Sequence, residues 1–255
     1  MTTDGPSPAA ASFGDDAAAY ARYRPTYPDI IYQILTDALT GPRETCIELG
    51  AGSGKASLTL AEIFSKVISV EPDARMLAHM PPHPAIQTLN MSAEDARFEA
   101  GSADAVVCAT CFHWMDQPLI LKQAHDWLRP GGVFYAFLYG PIQLLGAAQT
   151  VFRKHRTLWA PYRDKALGRK ADYGAALKAN GQFAKVTSHN IDHRFELSAE
   201  DAASLFLTTS YASAYAHETS DIMTYHAQLR AELSAAAPIV QVKLPLGGVT
   251  AVKLA

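Results

Sequence analysis

The sequence predicts an α/β fold in which seven mostly parallel strands form a doubly wound sheet. Between residues 45 and 140, strand-like segments alternate with helix-like segments. Some strand segments, such as "VVCATC" (106–111), are apolar on both faces, as buried parallel strands are. A glycine-rich turn also joins the first strand to its helix. Strands that are connected through helices make right-handed crossovers, which leaves neighbouring strands parallel.

A helical segment over about 13–39 precedes the sheet, and Pro25 and Pro28 interrupt it because proline cannot continue a helix. The sheet region then follows as alternating elements. The predicted strands are 45–49, 66–71, 85–91, 103–111 and 133–140, and the predicted helices are 55–64, 73–80 and 118–128.

The alternation stops after residue 140. Residues 141–180 show no strand pattern and predict a helical lid insertion, whereas 185–197 alternate like one strand. Ser198, followed by Asp201, predicts the start of a helix that continues to about residue 213, and a further helix is predicted over 220–236. Two apolar runs around "PLGG" predict a C-terminal hairpin that supplies an antiparallel strand.

The predicted organisation therefore has four parts. They are a disordered tail with a helical cap (1–40), a cofactor-binding core (41–140), the lid (141–180), and the remaining core with the antiparallel hairpin (181–255).

Composition narrows the function classes. Of the 255 residues, 49% are hydrophobic and 18% are charged, which is typical of a globular enzyme. The net charge of -3 and the pI near 6.3 argue against nucleic acid as a partner. No apolar run reaches the ~20 residues that span a bilayer. The start lacks a signal-peptide pattern and there are only three cysteines, so we expect a cytoplasmic protein, either a monomer or a homodimer.

The stretch "CIELGAGSGKAS" (46–57) is the strongest motif. Gly50, Gly52 and Gly54 follow the first strand at G-x-G-x-G spacing, and glycine allows the backbone to approach a ligand closely. The stretch has too few spacer residues for a phosphate-binding P-loop, and its third glycine comes one residue early for a dinucleotide fingerprint. A turn with only a structural role is the remaining alternative.

An acidic residue, Glu48, lies two positions before this G-x-G-x-G motif, and the stretch resembles the class I S-adenosylmethionine (SAM) methyltransferases. The resemblance implies a Rossmann-like methyltransferase fold with SAM as cofactor and S-adenosylhomocysteine as its product. It also implies that Glu48 is oriented near the amino group of the cofactor. Glu71, at the end of the second strand, is expected to accept both ribose hydroxyls, since a carboxylate is an acceptor with several lone pairs.

After the third strand, "NMSAEDARF" resembles the adenine-binding segment of this family. There Glu94 or Asp95 is expected to contact the adenine amino group, with Ala93 as a small neighbour. The resemblance further places three residues among the cofactor contacts: Pro72, Met76 and Cys111.

Three longer segments resemble the small-molecule branch that includes trans-aconitate methyltransferase. They are "FGDDAAAYARYRPTYP", "FHWMD" and "AHDWLRPGGVF". In that branch a Tyr and an Arg close over the methionine end of the cofactor, which here implies Tyr20 and Arg24. An Arg suits a carboxylate because its planar fork donates two parallel hydrogen bonds.

His113 follows the fourth strand and is the candidate catalytic residue. A neutral imidazole there could take a proton or orient the acceptor, or it could form a pocket wall together with Trp114. Tyr139 and Tyr211 are further candidates for the substrate wall, although each could also be plain core packing.

The predicted reaction is an SN2 displacement that moves the methyl group of SAM to a small molecule. A carboxylate or hydroxyl oxygen is the favoured acceptor, and a nitrogen or carbon acceptor is the alternative. An NAD-linked oxidoreductase is disfavoured by the glycine spacing and by the absence of an evident Tyr-x-x-x-Lys pair. A SAM-binding protein without catalytic activity is the third possibility.

Two further patterns carry less information. Cys108 and Cys111 form a C-x-x-C, but on one strand they would point to opposite faces, so no metal is expected. Four basic residues in the predicted lid could attract an acidic substrate or form a solvated helix face: Arg153, Lys154, Arg156 and Arg163.

Overall fold

A computed structural model describes residues 17–163 and 172–254 of the chain. These residues form two compact units. The core unit comprises 26–139, 172–191 and 246–254, and the second unit comprises 17–25, 140–163 and 192–245. The predicted N-terminal tail lies outside the described residues.

The described residues contain ten strands, which are numbered here in chain order. They are β1 Thr45–Leu49, β2 Lys66–Val70, β3 Ile86–Leu89, β4 Ala103–Ala109, β5 Leu128–Tyr139, β6 Gln143–Leu144, β7 Phe183–Ile191, β8 Arg194–Ser198, β9 Ile239–Lys243 and β10 Leu246–Lys253.

The α-helices of the described residues are numbered in the same way. They are α1 Ala17–Tyr23, α2 Asp29–Ala38, α3 Ser57–Ile63, α4 Ala74–Leu77, α5 Gln117–Trp127, α6 Ala148–Trp159, α7 Tyr173–Asn180, α8 Ala199–Leu207, α9 Ser210–Thr219 and α10 Ile222–Ala236.

The core unit contains the predicted seven-stranded sheet, in the order β3-β2-β1-β4-β5-β10-β7. The pairs among β1 to β5 are all parallel, and β10 runs antiparallel to both β5 and β7. The predicted doubly wound, mostly parallel fold is therefore confirmed. Because β1, β2, β3 and β4 are parallel, their carboxyl ends lie at one edge of the sheet, where ligands bind in such folds.

Alternation along the strands divides the apolar core between the two faces of the sheet. Ile47 and Leu49 of β1 belong to one buried cluster, which includes Leu121 of α5, whereas Cys46 belongs to the other, which includes Leu35 of α2. Each fully buried aliphatic side chain contributes about 1.5–3 kcal/mol relative to exposure. The two clusters hold helices on both faces of the sheet and leave its edge to the loops.

A buried carboxylate fixes the start of the sheet. The Oδ2 atom of Asp104 accepts hydrogen bonds from the backbone N–H groups of Glu44 and Thr45, at 2.5 and 2.7 Å. Its Oδ1 atom lies 2.5 Å from the guanidinium of Arg129. Asp104 therefore joins β4 to the beginning of β1 and to β5.

The second unit has its own three-stranded antiparallel sheet, in the order β6-β9-β8, and five of the helices. A polar network joins α6 to α10 in its interior. His155, which is 0% exposed, contacts the Tyr225 hydroxyl through Nδ1 at 2.6 Å and Glu232 through Nε2 at 3.1 Å. Trp159 also donates to the Tyr225 hydroxyl at 2.9 Å.

The structure corrects two strand predictions. The C-terminal hairpin is wrong, because β9 pairs with β6 and β8 whereas β10 pairs with β5 and β7, so the two strands lie in different sheets. The single strand over 185–197 is also wrong, because β7 ends at Ile191 in one sheet and β8 begins at Arg194 in the other. Hydrophobic alternation indicates a strand, but it does not show which sheet the strand joins.

The segment 141–180 also differs from the expected single insertion. It contains the short strand β6, and its described residues are divided between the second unit (through 163) and the core unit (from 172). The Ser198 cap is confirmed, since its side chain accepts from the Asp201 N–H, but that helix ends at Leu207 and not near residue 213. Within the two described ranges, no helix has the length and apolar character needed to cross a membrane.

Candidate active site

The glycine loop after β1 uses backbone conformations that other residues rarely adopt. Gly50, Gly52 and Gly54 have φ values of 67°, 58° and 82°. The N–H groups of Gly50 and Ala51 donate to the Val70 carbonyl at 2.8 and 3.0 Å. A Cβ atom at Gly50 would lie 2.8 Å from both Cβ and Sγ of Cys111, so this position requires glycine for packing as well as for backbone conformation.

Glu71 lies directly after β2 and holds the loop through its carboxylate. Oε2 accepts from the Gly52 N–H at 2.9 Å, and Oε1 accepts from the Asp73 N–H at 3.0 Å. Burial raises the pKa of Glu71, and these two backbone hydrogen bonds act in the opposite direction. The side chain of Asn90 fixes the same corner by donating to the Glu71 carbonyl at 2.9 Å.

The loop and Glu71 fit the adenosyl group of SAM. An ionised carboxylate offers about four acceptor positions, and two of those of Glu71 are used by backbone N–H groups. The remaining positions can accept two adjacent hydroxyl hydrogens. Met76 is buried, and its Cε lies 3.4 Å from the position that a Cβ atom at Gly52 would take. A side chain at Gly52 would therefore narrow the space within the loop. Pro72 is exposed beside this corner.

Glu48 supports the loop from inside the core unit. Its side chain is 0% exposed, and its Oε2 accepts from the Ser69 hydroxyl at 3.1 Å and from the Ser57 hydroxyl at the start of α3. Burial raises the pKa of Glu48 to about 7, against the opposing effect of the two serine hydroxyls. In the structure this carboxyl joins β1, β2 and α3, and its orientation toward a cofactor amino group stays a prediction.

The loop after β3 is fixed by local hydrogen bonds. Ala93 is buried, and the Oε1 atom of Glu94 accepts from the Asp116 N–H at 3.0 Å, which joins this loop to the loop after β4. The carboxylate of Asp95, which is exposed, accepts from the Ser92 hydroxyl at 2.8 Å. Of the two candidates, Glu94 is therefore the one held at the edge of the sheet by a second loop.

The chain turns sharply after β4. Thr110 has a φ of 62°, and Cys111 then donates its thiol hydrogen to the Leu49 carbonyl at 2.9 Å. The pKa of the Cys111 thiol is raised, first by a side-chain hydrogen bond with Cys108 and then by burial. The expectation that Cys108 and Cys111 point to opposite faces is thus wrong, because β4 ends at Ala109 and Cys111 lies beyond the turn.

Among the described residues, no group of three or more His, Cys, Asp or Glu side chains could hold a metal ion. Cys108 lies within β4, and Cys111 lies beyond the turn against the glycine loop.

His113 lies two residues after Cys111, in a short 3-10 helix over Phe112–Trp114. Its Nδ1 atom is 3.0 Å from the hydroxyl of Tyr173, and its ring lies 4.6 Å from that of Trp114. Burial lowers the pKa of His113 to about 4, so the imidazole is neutral at physiological pH. Trp114 is half-buried, as a pocket-lining side chain would be.

Tyr139 ends β5 and donates its hydroxyl hydrogen to the Thr26 carbonyl at 3.1 Å. Its ring stacks on Tyr27 with centroids 5.1 Å apart, and the Tyr27 hydroxyl is 3.1 Å from Oγ1 of Thr110. The structure therefore brings Tyr139, Tyr27 and the turn after β4 together.

The sequence interpretation missed Tyr27 and Tyr173 as site residues. Tyr27 belongs to the "RPTYP" segment and could have been identified from it. Tyr173 carries no such signal, because it is placed beside His113 by the packing of α7 against the core unit.

The second unit contains the other predicted site residues. Arg24 donates to the Thr208 carbonyl at 3.2 Å, and Tyr211 lies 6.2 Å from the ring of Trp159. Tyr20 is part of α1, and the prediction for its side chain lies outside the described atoms. Their predicted contacts with cofactor or substrate stay predictions.

The four basic residues singled out in the predicted lid differ in their contacts. The Lys154 ammonium pairs with Glu232 at 2.8 Å within the second unit. All four are exposed, and three of them lie on α6 as on a solvated helix face: Arg153, Lys154 and Arg156.

Comparisons with known proteins point to one kind of domain. The family model described as "Methyltransferase domain" matches residues 47–136. A Dictyostelium discoideum protein named "Putative methyltransferase" is 31% identical over 159 residues, which are 59% of this chain and 60% of that protein. The chain thus spans less than two thirds of that relative in the match.

Two solved structures share the fold. The structure of a "Putative Type II Methyltransferase" from Anaeromyxobacter dehalogenans has a TM-score of 0.75 at 24% identity and covers 91% of this chain and 99% of its own. A Haemonchus contortus phosphoethanolamine N-methyltransferase 2, solved in complex with S-adenosyl-L-methionine, has a TM-score of 0.53 at 14% identity. It covers 95% of this chain and 57% of its own.

Proposed function

We propose that the chain, whose residues 47–136 match a methyltransferase domain, is a class I SAM-dependent methyltransferase that methylates a small-molecule acceptor. A carboxylate or hydroxyl oxygen is the acceptor we favour. The sequence likeness to the trans-aconitate methyltransferase branch supports a carboxylate.

One arrangement carries the proposal. The carboxyl ends of β1, β2 and β4 bring together the left-handed glycines of the loop, the Glu71 carboxylate and the Cys111–His113 turn. The backbone of the loop, with Gly50 in contact with Cys111, leaves no space for a side chain at its first glycine. Such a loop suits a ligand that approaches the backbone closely, and Glu71 suits its ribose hydroxyls.

When bound, SAM supplies an activated methyl group, and its transfer to oxygen leaves the electron pair of the broken carbon–sulfur bond on S-adenosylhomocysteine. The residues of this chain position the reactants. Glu71 and the glycine loop would hold the adenosyl part, and His113 with Trp114 would contact the acceptor. A hydroxyl acceptor must also lose a proton, whereas a carboxylate has none to lose.

Calorimetry with S-adenosylhomocysteine and with NAD tests the cofactor assignment. We expect binding of S-adenosylhomocysteine, a weakening of at least about tenfold in Glu71→Gln, and unchanged binding in the exposed control Glu99→Gln. Binding of NAD without binding of S-adenosylhomocysteine would contradict the proposal.

Transfer of labelled methyl groups from SAM to matched acids, alcohols and amines tests the acceptor class. We expect methyl esters or methyl ethers among the products. Products methylated only on nitrogen or carbon would refute the oxygen assignment and leave the cofactor assignment standing.

A further inference from the structure

Tyr173 is fixed beside His113 by packing and by a helix cap. Its ring contacts Phe112 at a centroid distance of 5.1 Å, and the side chain is almost fully buried. Asp172 caps α7 by accepting from the Ala175 N–H at 2.9 Å, so the first residue of the helix is held in place. The 3.0 Å contact between the Tyr173 hydroxyl and Nδ1 of His113 is therefore a fixed feature of the core unit.

The partners available to each atom indicate which one donates in this contact. The hydroxyl has one hydrogen to give, and within the described chain its only acceptor is Nδ1 of His113. The backbone N–H of His113 acts on the hydroxyl oxygen as a donor, which opposes the rise in the pKa of Tyr173 that burial causes. If Nδ1 carried the hydrogen instead, the buried hydroxyl would have no acceptor, at a cost of about 1–3 kcal/mol.

We propose that the Tyr173 hydroxyl donates to Nδ1 of His113, so that the neutral imidazole carries its hydrogen on Nε2 and donates it to an acceptor that is already an anion, a carboxylate. A neutral imidazole has one donor and one acceptor nitrogen, and Tyr173 occupies the acceptor. Tyr173 is thus a positioning residue, and His113 binds one carboxylate oxygen while the other remains available for methylation.

This assignment separates the two roles that His113 could have. With Nδ1 occupied and the pKa of the ring near 4, His113 is a poor general base at neutral pH. An alcohol would need that base, but a carboxylate would not. No other described side chain has a hydrogen bond to His113, and Nε2 lies on a half-buried ring. The assignment of a carboxylate as acceptor rests on the proposed methyl transfer, whereas the assignment of the His113 tautomer does not depend on it.

Nitrogen-15 NMR of the full chain, saturated with S-adenosylhomocysteine, reads the tautomer directly. We expect His113, assigned by its loss in His113→Gln, to carry hydrogen on Nε2 and not to titrate between pH 5.5 and 8.5. Tyr173→Phe should give a mixture of tautomers. The control Tyr225→Phe removes the corresponding hydroxyl beside His155 and should leave the His113 signals unchanged. Hydrogen on Nδ1 in the unmodified chain, or protonation above pH 6, would overturn the assignment whether or not Tyr173→Phe folds.

The same samples test the substrate class with matched probes. Benzoate, cinnamate and succinate should shift the Nε2–H signal, and benzyl alcohol, cinnamyl alcohol and 1,4-butanediol should not. His113→Gln keeps an N–H donor and should hold the acids within about threefold of the unmodified chain, whereas His113→Ala should lose at least about tenfold. Response to the alcohols alone, or to none of the acids, would overturn the carboxylate assignment. Binding of S-adenosylhomocysteine, measured in parallel, tests the cofactor proposal separately.

Discussion

Replacement of Gly50 by alanine tests the reasoning on the cofactor loop. Two costs arise there. A residue with a Cβ costs roughly 1–2 kcal/mol in the left-handed region, and Gly50 has a φ of 67°. The new Cβ would also lie 2.8 Å from the Cβ and Sγ of Cys111, and such overpacking costs about 1–3 kcal/mol more. We therefore expect a loss of about 2–5 kcal/mol in unfolding free energy, or a displaced loop.

Gly181 provides the matched control. It has a φ of 72° at the end of α7, and no neighbouring atom lies within 4 Å of the place that a Cβ would take. Gly181→Ala should therefore show only the left-handed cost of roughly 1–2 kcal/mol and normal cofactor binding. Urea unfolding measures the stability of both variants, and calorimetry measures their affinity for S-adenosylhomocysteine.

The expected binding result is a dissociation constant at least about tenfold higher in Gly50→Ala than in Gly181→Ala. Cys111→Gly removes the two nearest atoms that the new Cβ meets and leaves Cε of Met115 at 3.2 Å, so adding it to Gly50→Ala should recover part of the loss. If Gly50→Ala matched Gly181→Ala in stability and in affinity, close packing of the loop against Cys111 would not be what requires glycine.

Two further predictions concern stability. Burial raises the pKa of Glu48 to about 7, so the stability that its protonated form contributes is fully present below pH 4.5 and is lost as the pH rises through 7. The unmodified chain should therefore lose about 2–3 kcal/mol of unfolding free energy between pH 4.5 and 8, and Glu48→Gln should not show this loss. Urea unfolding at both pH values checks this, and parallel pH profiles for the two proteins would contradict it. Asp104→Ala should lower the unfolding free energy by about 3–5 kcal/mol, because it leaves the Arg129 charge and two backbone N–H groups without their partner. A loss under 1 kcal/mol would show that water replaces these contacts.

The sequence predicted the parallel part of the core sheet closely. Strand β1 lies at Thr45–Leu49 as predicted, and the glycines follow it with the positive φ values that their spacing indicated. These features are local, because apolar runs, prolines and glycines restrict the backbone over a few residues. Glu71 also follows directly from the sequence, since the residue after a parallel strand must lie at the edge of the sheet.

Other features were decided by contacts between distant residues. The "PLGG" signal predicted a hairpin, but β9 and β10 each found a partner in a different sheet. Cys111 was expected to point away from Cys108, but the left-handed Thr110 brings the two thiols into contact. Neither result can be read from periodicity, which describes one strand and not its neighbours.

The sequence by itself determined the fold class and the glycine loop, and it identified His113 as the candidate catalytic residue, since each depends on a short motif or a local pattern. Only the tertiary structure decided what state His113 adopts. Tyr173 lies 60 positions away in the chain and comes to 3.0 Å from Nδ1 because α7 packs on the core unit. The same packing buries the ring and lowers its pKa. Burial and the direction of a hydrogen bond are properties of the packed chain. The sequence left base, orienting group and pocket wall open for His113, and these properties support the proposed role as a donor.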